Sequence, residues 1–283
     1  MVGVRRLELP TSASRTLRAS QLRHTPKTLR NYTIRFAYLL IYLFLMLLCL
    51  GKYFLKMLIF TINGFIRCGG LVAIFFLILL TGEVLRRKKI IQGEAARKFV
   101  HATTGTWAAM WPAFIDLRSI ALLALLMSFG AILFRNLKLF PSVYSIRRLS
   151  IGEVLIGFGL AAAALLAKSG AVFASSLLVI AWSDSLAALV GVSLGKKNSF
   201  KILGTKKSLA GSLAFFLSTI VVIMTFLYYR LGSDMYRDPM QLLVSLLVAS
   251  MVSFCLTIVE LTGIYGIDNL TIPLFAVLVL NNI

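Results

Sequence analysis

Long apolar runs, separated by short stretches crowded with lysine and arginine, dominate this chain and leave it few ways to fold. The runs fall at about 33–51, 63–82, 101–115, 119–134, 150–168, 171–193, 208–229, 240–259 and 268–283. A straight bilayer crossing takes ~20 apolar residues, so the shorter runs need a polar helical extension or a re-entrant course. Lys52 and Lys56 between the first two runs, with Asn63 and Arg67 at the start of the second, leave two or three passes open there. Hydrophobic residues make up 59% of the 283 and charged residues only 14%. A water-soluble globule carries about 25% charged residues, so that class is excluded. So is a disordered chain, which has too few apolar side chains to collapse. The expected architecture is an all-α polytopic helical bundle of about nine spans, with re-entrant or short helices near its functional site.

Charge sets the sidedness. Thirty Lys and Arg face ten Asp and Glu, a formal net charge of +20. Positive residues gather at 86–98 (Arg86, Arg87, Lys88, Lys89, Arg97, Lys98), at 135–148 and at 196–207 (Lys196, Lys197, Lys201, Lys206, Lys207). The intervening connections near Asp116, Lys168 and Tyr229–Pro239 are poorer in them. The positive-inside rule places the basic loops, and with them the loop at 260–268, in the cytosol or its organellar equivalent. Residues 1–35 are rich in Arg, Ser and Thr with Glu8 the single acid. That segment reads either as a cytosolic tail holding the first span or as a transit peptide, which would make the active face stromal. The expected organisation is therefore a tail at 1–35, N-terminal spans at 36–82 and a membrane domain at 83–283. Cys49, Cys68 and Cys255 share no ligand spacing and read as small hydrophobes inside spans.

Four polar clusters interrupt this pattern. Glu94, Arg97, Lys98 and His101 fall on one helical stripe entering an apolar run. They form either an amphipathic mouth with i,i+4 pairs or a proton-accepting, phosphate-facing group. Asp184, within Trp182-Ser183-Asp184-Ser185, sits in an otherwise apolar stretch, where an uncompensated charge costs about 2.5–3.5 kcal/mol. It must face a partner, a cation or water. Ala187, Ala188, Gly191 and Gly195 follow it as small residues, suited either to helix packing or to close approach of a ligand. Gly204-Thr205-Lys206-Lys207-Ser208 opens the next run, where Lys206, Lys207, Ser208 and the free N–H groups of a starting helix form a candidate polyphosphate cradle. Glu260 and Gly266-Ile267-Asp268-Asn269 precede the last run. Those carboxylates suit Mg2+ held between protein and phosphates, while Asp268 or Asn269 also suits a helix cap.

Taken in order, E-x-x-R-K-x-x-H-x-x-x-G (Glu94 to Gly105), S-D-S-x-A-A-x-x-G-x-x-x-G-K (Ser183 to Lys196), G-x-K-K-S-x-x-G-S (Gly204 to Ser212) and G-x-D-N-L-T-x-P (Gly266 to Pro273) resemble the polyprenol kinase family. Phytol kinases, dolichol kinases and CTP-dependent diacylglycerol kinases belong to that family. The resemblance covers about residues 83–283. It implies an integral-membrane kinase moving the γ-phosphate of a nucleoside triphosphate, CTP or else ATP, onto an isoprenoid alcohol such as phytol, dolichol or another polyprenol. Arg97, Lys98, His101, Asp184, Lys196, Lys207, Ser208, Asp268 and Asn269 fall on family motif positions. Ala210 stands where the family commonly carries a glutamate, so this chain either draws on another carboxylate or is an inactive homologue.

Phosphoryl transfer is mainly positioning and charge neutralisation, and the residues supply both. Asp184, Asp268 and Glu94 are the candidate Mg2+ carboxylates. Arg97, Lys98, Lys196, Lys206 and Lys207 are cations for the nucleotide, with Ser208 and Asn269 beside them, and His101, Asp184 or Asp268 is placed for catalysis. The lipid bilayer, an isoprenoid alcohol and a nucleotide are the expected partners; no nucleic acid is expected. Two rivals use similar groups: a cytidylyltransferase making a CDP-lipid, and a transporter of an anionic metabolite with broken helices near Asp184 and Gly266. If the four clusters share one membrane face, single cysteines placed near Lys201 and near Asp268 will label from the same side. Labelling from opposite sides would separate the clusters.

Overall fold

The computed structural model describes residues 62–137, 152–195, 197–232, 234–264 and 266–283. The basic tail, the apolar run at 33–51 and Lys196 lie outside the described residues. Among the described residues eight helices carry the fold: α1 Ile62–Arg87, α2 Gly93–Ala109, α3 Leu117–Asn136, α4 Gly152–Leu166, α5 Gly170–Ser193, α6 Leu209–Leu231, α7 Pro239–Thr262 and α8 Asp268–Leu280. Single turns at Trp111–Ala113 and Asp234–Arg237 link neighbours, and β1 Ser199–Ile202 pairs with β2 Thr205–Ser208 as an antiparallel hairpin between α5 and α6.

The helices start where the local chemistry supplies caps. Ser169 accepts from the Val172 N–H at 3.3 Å to open α5. Ser208 accepts from the Gly211 N–H at 3.1 Å to open α6, and Asp238 accepts from the Met240 N–H at 2.9 Å before Pro239 opens α7. By length and composition, α1, α5, α6 and α7 are apolar enough to cross a membrane, and α3, α4 and α8 are shorter apolar helices. The expected all-α membrane bundle is what forms. Its eight helices track the apolar runs from 63–82 onward, but only four of those in the described residues meet the criteria for a full crossing. The described residues thus do not confirm the expected nine spans. The helix over the run at 101–115 starts eight residues earlier, at Gly93, so α2 carries the charged Glu94–His101 stripe within its own body.

Burial ranks the helices. Of the apolar window in α5, 67% is buried, against 22% to 28% in α1, α6 and α7. So α5 is the central post, and the others keep an outward apolar face. On α6, Leu213, Leu217 and Val221 recur at four-residue spacing, each more than half exposed; on α7, Leu247, Met251 and Phe254, spaced by four and three, are also more than half exposed. Apolar surface this extensive is untenable in water and matches the acyl interior of a bilayer. The chain is an integral membrane protein.

Small residues let the helices close on one another. A Cβ on Gly82 would meet Val100 Cγ2 at 2.4 Å, which brings α1 onto α2; one on Gly105 would meet Ala181 Cβ at 2.6 Å, which brings α2 onto α5. The stripe Ala187, Gly191 and Gly195 resolves as packing, not as a lipid-facing slot. A Cβ on Gly211 of α6 would meet the Ala187 carbonyl at 2.8 Å, and one on Gly195 would meet Ser208 Cβ at 2.5 Å. The capping of α6 and the approach of α5 therefore use the same contact. A bulky side chain cannot be accommodated there by a rotamer change, because the obstacle is backbone. Gly211→Leu is expected to cost about 1–3 kcal/mol by overpacking, read as a lower melting temperature in detergent; an unchanged melt would mean that the crossing is loose.

Candidate active site

Local geometry first places the acid. Within α5 the residues Val179–Ser183 form a π-helical turn immediately before Asp184. One residue inserted into a helix rotates everything beyond it by roughly 100°, so this turn sets which neighbour Asp184 faces. It faces α2. Lys98 Nζ donates to Asp184 Oδ2, and both side chains are almost fully enclosed, at 2% and 10% exposed. Asp184 lies nine residues before the end of α5, roughly 14 Å inside it, and Lys98 lies five residues into α2. The pair is inside the bundle, not at its rim.

His101, one turn beyond Lys98 on the same stripe, completes this group. Its Nε2 lies 3.2 Å from the Ile180 carbonyl, within the π turn, and 3.5 Å from Asp184 Oδ2. A carbonyl only accepts, so Nε2 carries the hydrogen, and in the neutral ring Nδ1 holds the lone pair. Ser185 Oγ donates to the Lys98 carbonyl at 3.4 Å and ties the two helices a second time. Glu94 and Arg97, at the mouth of the stripe, pair with each other: Arg97 Nη2 meets Glu94 Oε1 at 2.5 Å and Nε meets Oε2 at 3.3 Å. Both Glu94 oxygens are thereby engaged.

A second ion pair forms at the same end of the bundle. Lys207 Nζ donates to Glu260 Oε1 and, at 2.9 Å, to the Glu260 carbonyl, joining β2 to the last turn of α7. Asp268 opens α8 within electrostatic reach of Asp184, Lys98 and Lys207. Among the described residues Asp268 makes no salt bridge; its Oδ1 accepts from the Asn269 N–H at 3.1 Å. Asn269 is buried, and its Nδ2 donates to the Gly152 carbonyl at 2.9 Å, which pins α8 to the start of α4. Ser208 serves as the α6 cap, and Lys206 is exposed on the outer face of the hairpin, opposite Lys201.

Four sequence clusters thus meet around Asp184, His101, Lys98 and Asp268, with Lys207 beside them. Glu260 enters through Lys207, a pairing that spacing alone does not reveal. The π turn also escapes a straight 3.6-residue period. Among the described residues, no three His, Cys, Asp or Glu side chains stand close enough to enclose a metal ion by themselves. Any ion here would need other oxygen ligands as well.

The chain is thus a helical membrane bundle that encloses a Lys–Asp–His group, flanked by a carboxylate without a basic partner among the described residues and by a lysine clamped on Glu260. A phytol kinase from Synechocystis sp. is 31% identical over 210 residues, spanning 71% of this chain and 84% of the relative. The chain belongs to the polyprenol kinase family, as its motifs suggest. No family model matches it, and no solved structure does.

Removing one partner of a buried ion pair strands the other, at a cost of about 3–5 kcal/mol. Lys98→Met is therefore expected to destabilise the protein by that order, and adding Asp184→Asn should return part of the loss. Thermal unfolding of the two single variants and the double variant in detergent measures this. Additive losses would mean that the two side chains do not depend on each other.

Proposed function

We propose that the protein phosphorylates an isoprenoid alcohol, of the phytol or polyprenol kind, at the expense of a nucleoside triphosphate, CTP being preferred. The observation that carries this reading is the convergence of Lys98, His101 and Asp184 inside the bundle, with Lys207 and Asp268 close by. A water-borne nucleotide and a bilayer-bound alcohol need a meeting point below the surface, and the depth of Asp184 suits that. The Synechocystis relative's name as a phytol kinase supports the acceptor class. We place the active face in the cytosol, or in the stroma if the N-terminus is a transit peptide, from the basic loops flanking it.

In this reading each side chain has a distinct task. Lys98 holds Asp184 by an ion pair and, with Arg97, contributes positive potential toward the phosphates. Lys207, held by Glu260, and Lys206 on the hairpin meet the nucleotide as it enters, with Lys196 on the same basic connection. His101 Nε2–H is fixed by the Ile180 carbonyl, and either its Nδ1 or the Asp184 carboxylate receives the alcohol proton. Asn269 and Ser208 hold their helices in register instead of contacting the nucleotide directly. Oxygen ligands of this kind suit Mg2+, and the unpaired Asp268 beside Asp184 fits such an ion. Glu94, with both oxygens on Arg97, fits it less well. When bound, the ion would supply positive charge against the triphosphate oxygens.

Membranes containing the protein, given labelled CTP or ATP and a panel of phytol, farnesol, polyprenol and diacylglycerol, should yield a phosphorylated isoprenoid alcohol and nucleoside diphosphate. Release of pyrophosphate with a CDP-lipid would instead establish the cytidylyltransferase reaction. Asp184→Asn should abolish turnover while the protein still inserts. Lys207→Ala should raise the KM for the nucleotide several-fold with a smaller effect on kcat.

A further inference from the structure

Four acids surround the cluster, and they differ in how many of their oxygens are satisfied. Glu94 spends both on Arg97. Asp184 is matched by Lys98 and approached by His101. Glu260 is 5% exposed, yet among the described residues only its Oε1 receives a hydrogen bond; Oε2 is buried with no partner among them. A carboxylate oxygen in that position loses its hydration without compensation. Asp268, finally, accepts from the neighbouring backbone but has no cationic partner among the described residues.

The two unsatisfied acids stand at one joint, where α7 ends and α8 begins. Gly263 makes this possible: a Cβ there would meet Asp268 Cβ at 2.6 Å, Asp268 Cγ at 3.1 Å and the Glu260 carbonyl at 3.1 Å. With no side chain at 263, Asp268 folds back against the final turn that carries Glu260. The two carboxylates lie within electrostatic reach of each other and of Asp184. Like charges are not gathered in a poorly hydrated joint unless something positive joins them.

We propose that Glu260 and Asp268 form the carboxylate pair that holds the divalent cation, with Glu94 spent on orienting Arg97. The assignment rests on the kinase reading above and alters which acids serve it. Mg2+ characteristically takes one or two carboxylates and fills its remaining positions with water and phosphate oxygens. Two acids at one joint satisfy that requirement, in keeping with the absence, among the described residues, of any closed three-residue cage. Glu260 then has two roles through its two oxygens. Oε1 fixes Lys207, and Oε2 faces the cation, so the metal and the phosphate-binding lysine are placed relative to each other by one side chain.

Mn2+ binding to the purified full-length protein in detergent, without nucleotide or lipid, tests this by electron paramagnetic resonance. Wild type is expected to bind Mn2+ and to melt at a higher temperature in its presence. Glu260→Gln keeps an oxygen for Lys207, so the fold survives, but Mn2+ affinity should fall at least about tenfold and the melting shift should vanish. Asp268→Asn should do the same, and Glu94→Gln should bind like wild type. Wild-type affinity in Glu260→Gln, with a loss in Asp268→Asn, overturns the role of Glu260 and leaves the kinase reading in place. Loss in Glu94→Gln overturns the pairing as drawn. A wild-type protein that binds no Mn2+ and phosphorylates no alcohol removes both.

Discussion

A lysine and an aspartate buried against each other in a membrane bundle constrain everything around them. Each charge alone would be costly in so apolar a setting, and together they are tolerable only if contact is kept. The Lys98–Asp184 pair therefore ties α2 to α5 at a fixed depth. The close approach of Gly105 to Ala181 and the Ser185 hydroxyl on the Lys98 carbonyl enforce the same register. Once α2 is fixed, His101 has no choice but to face the π turn. The cost of burying charge thus becomes a source of precision.

The π turn does two things with one distortion. It rotates Asp184 toward Lys98, and it brings the Ile180 carbonyl within hydrogen-bonding distance of His101. Distortions of this kind tend to mark functional positions, since a regular helix would be more stable. A regular helix from Gly170 to Ser193 would still span the membrane, but its acid would face another neighbour. The distortion belongs to the chemistry, and the length of α5 belongs to the bilayer.

Much of this was legible in the residues, and what was not has physical causes. Apolar runs announced the helices because bilayer burial leaves a one-dimensional trace in the chain. Four short motifs suggested family membership, and a relative 31% identical over 71% of the chain bears it out. The offsets from Glu94 to His101 correctly put those side chains on one stripe. They did not say that Lys98 would be spent on Asp184, since pairing across 86 residues leaves no local pattern. The small stripe from Ala187 to Gly195 looked equally suited to a ligand or a helix, and only the presence of α6 decides it. The hairpin at 199–208 leaves little trace in the sequence: its turn is Leu203-Gly204, both at positive φ. Primed two-residue turns usually advertise themselves with Asn-Gly, and a leucine there hides the signal.

The arrangement also explains why acids are so scarce in a chain with twice ten extra positive charges to satisfy. Most lysines and arginines sit in loops where water and lipid phosphates screen them. The few carboxylates that meet in the bundle have a different environment, and there each additional negative charge must be matched. Two are matched by lysines, one by an arginine, and one has no basic partner among the described residues. A cluster balanced in this way has little use for a further anion until a cation arrives with it. A metal-bound triphosphate brings part of its own neutralising charge, so its entry would disturb the electrostatic balance of the cluster less than the bare triphosphate would while supplying the group to be transferred.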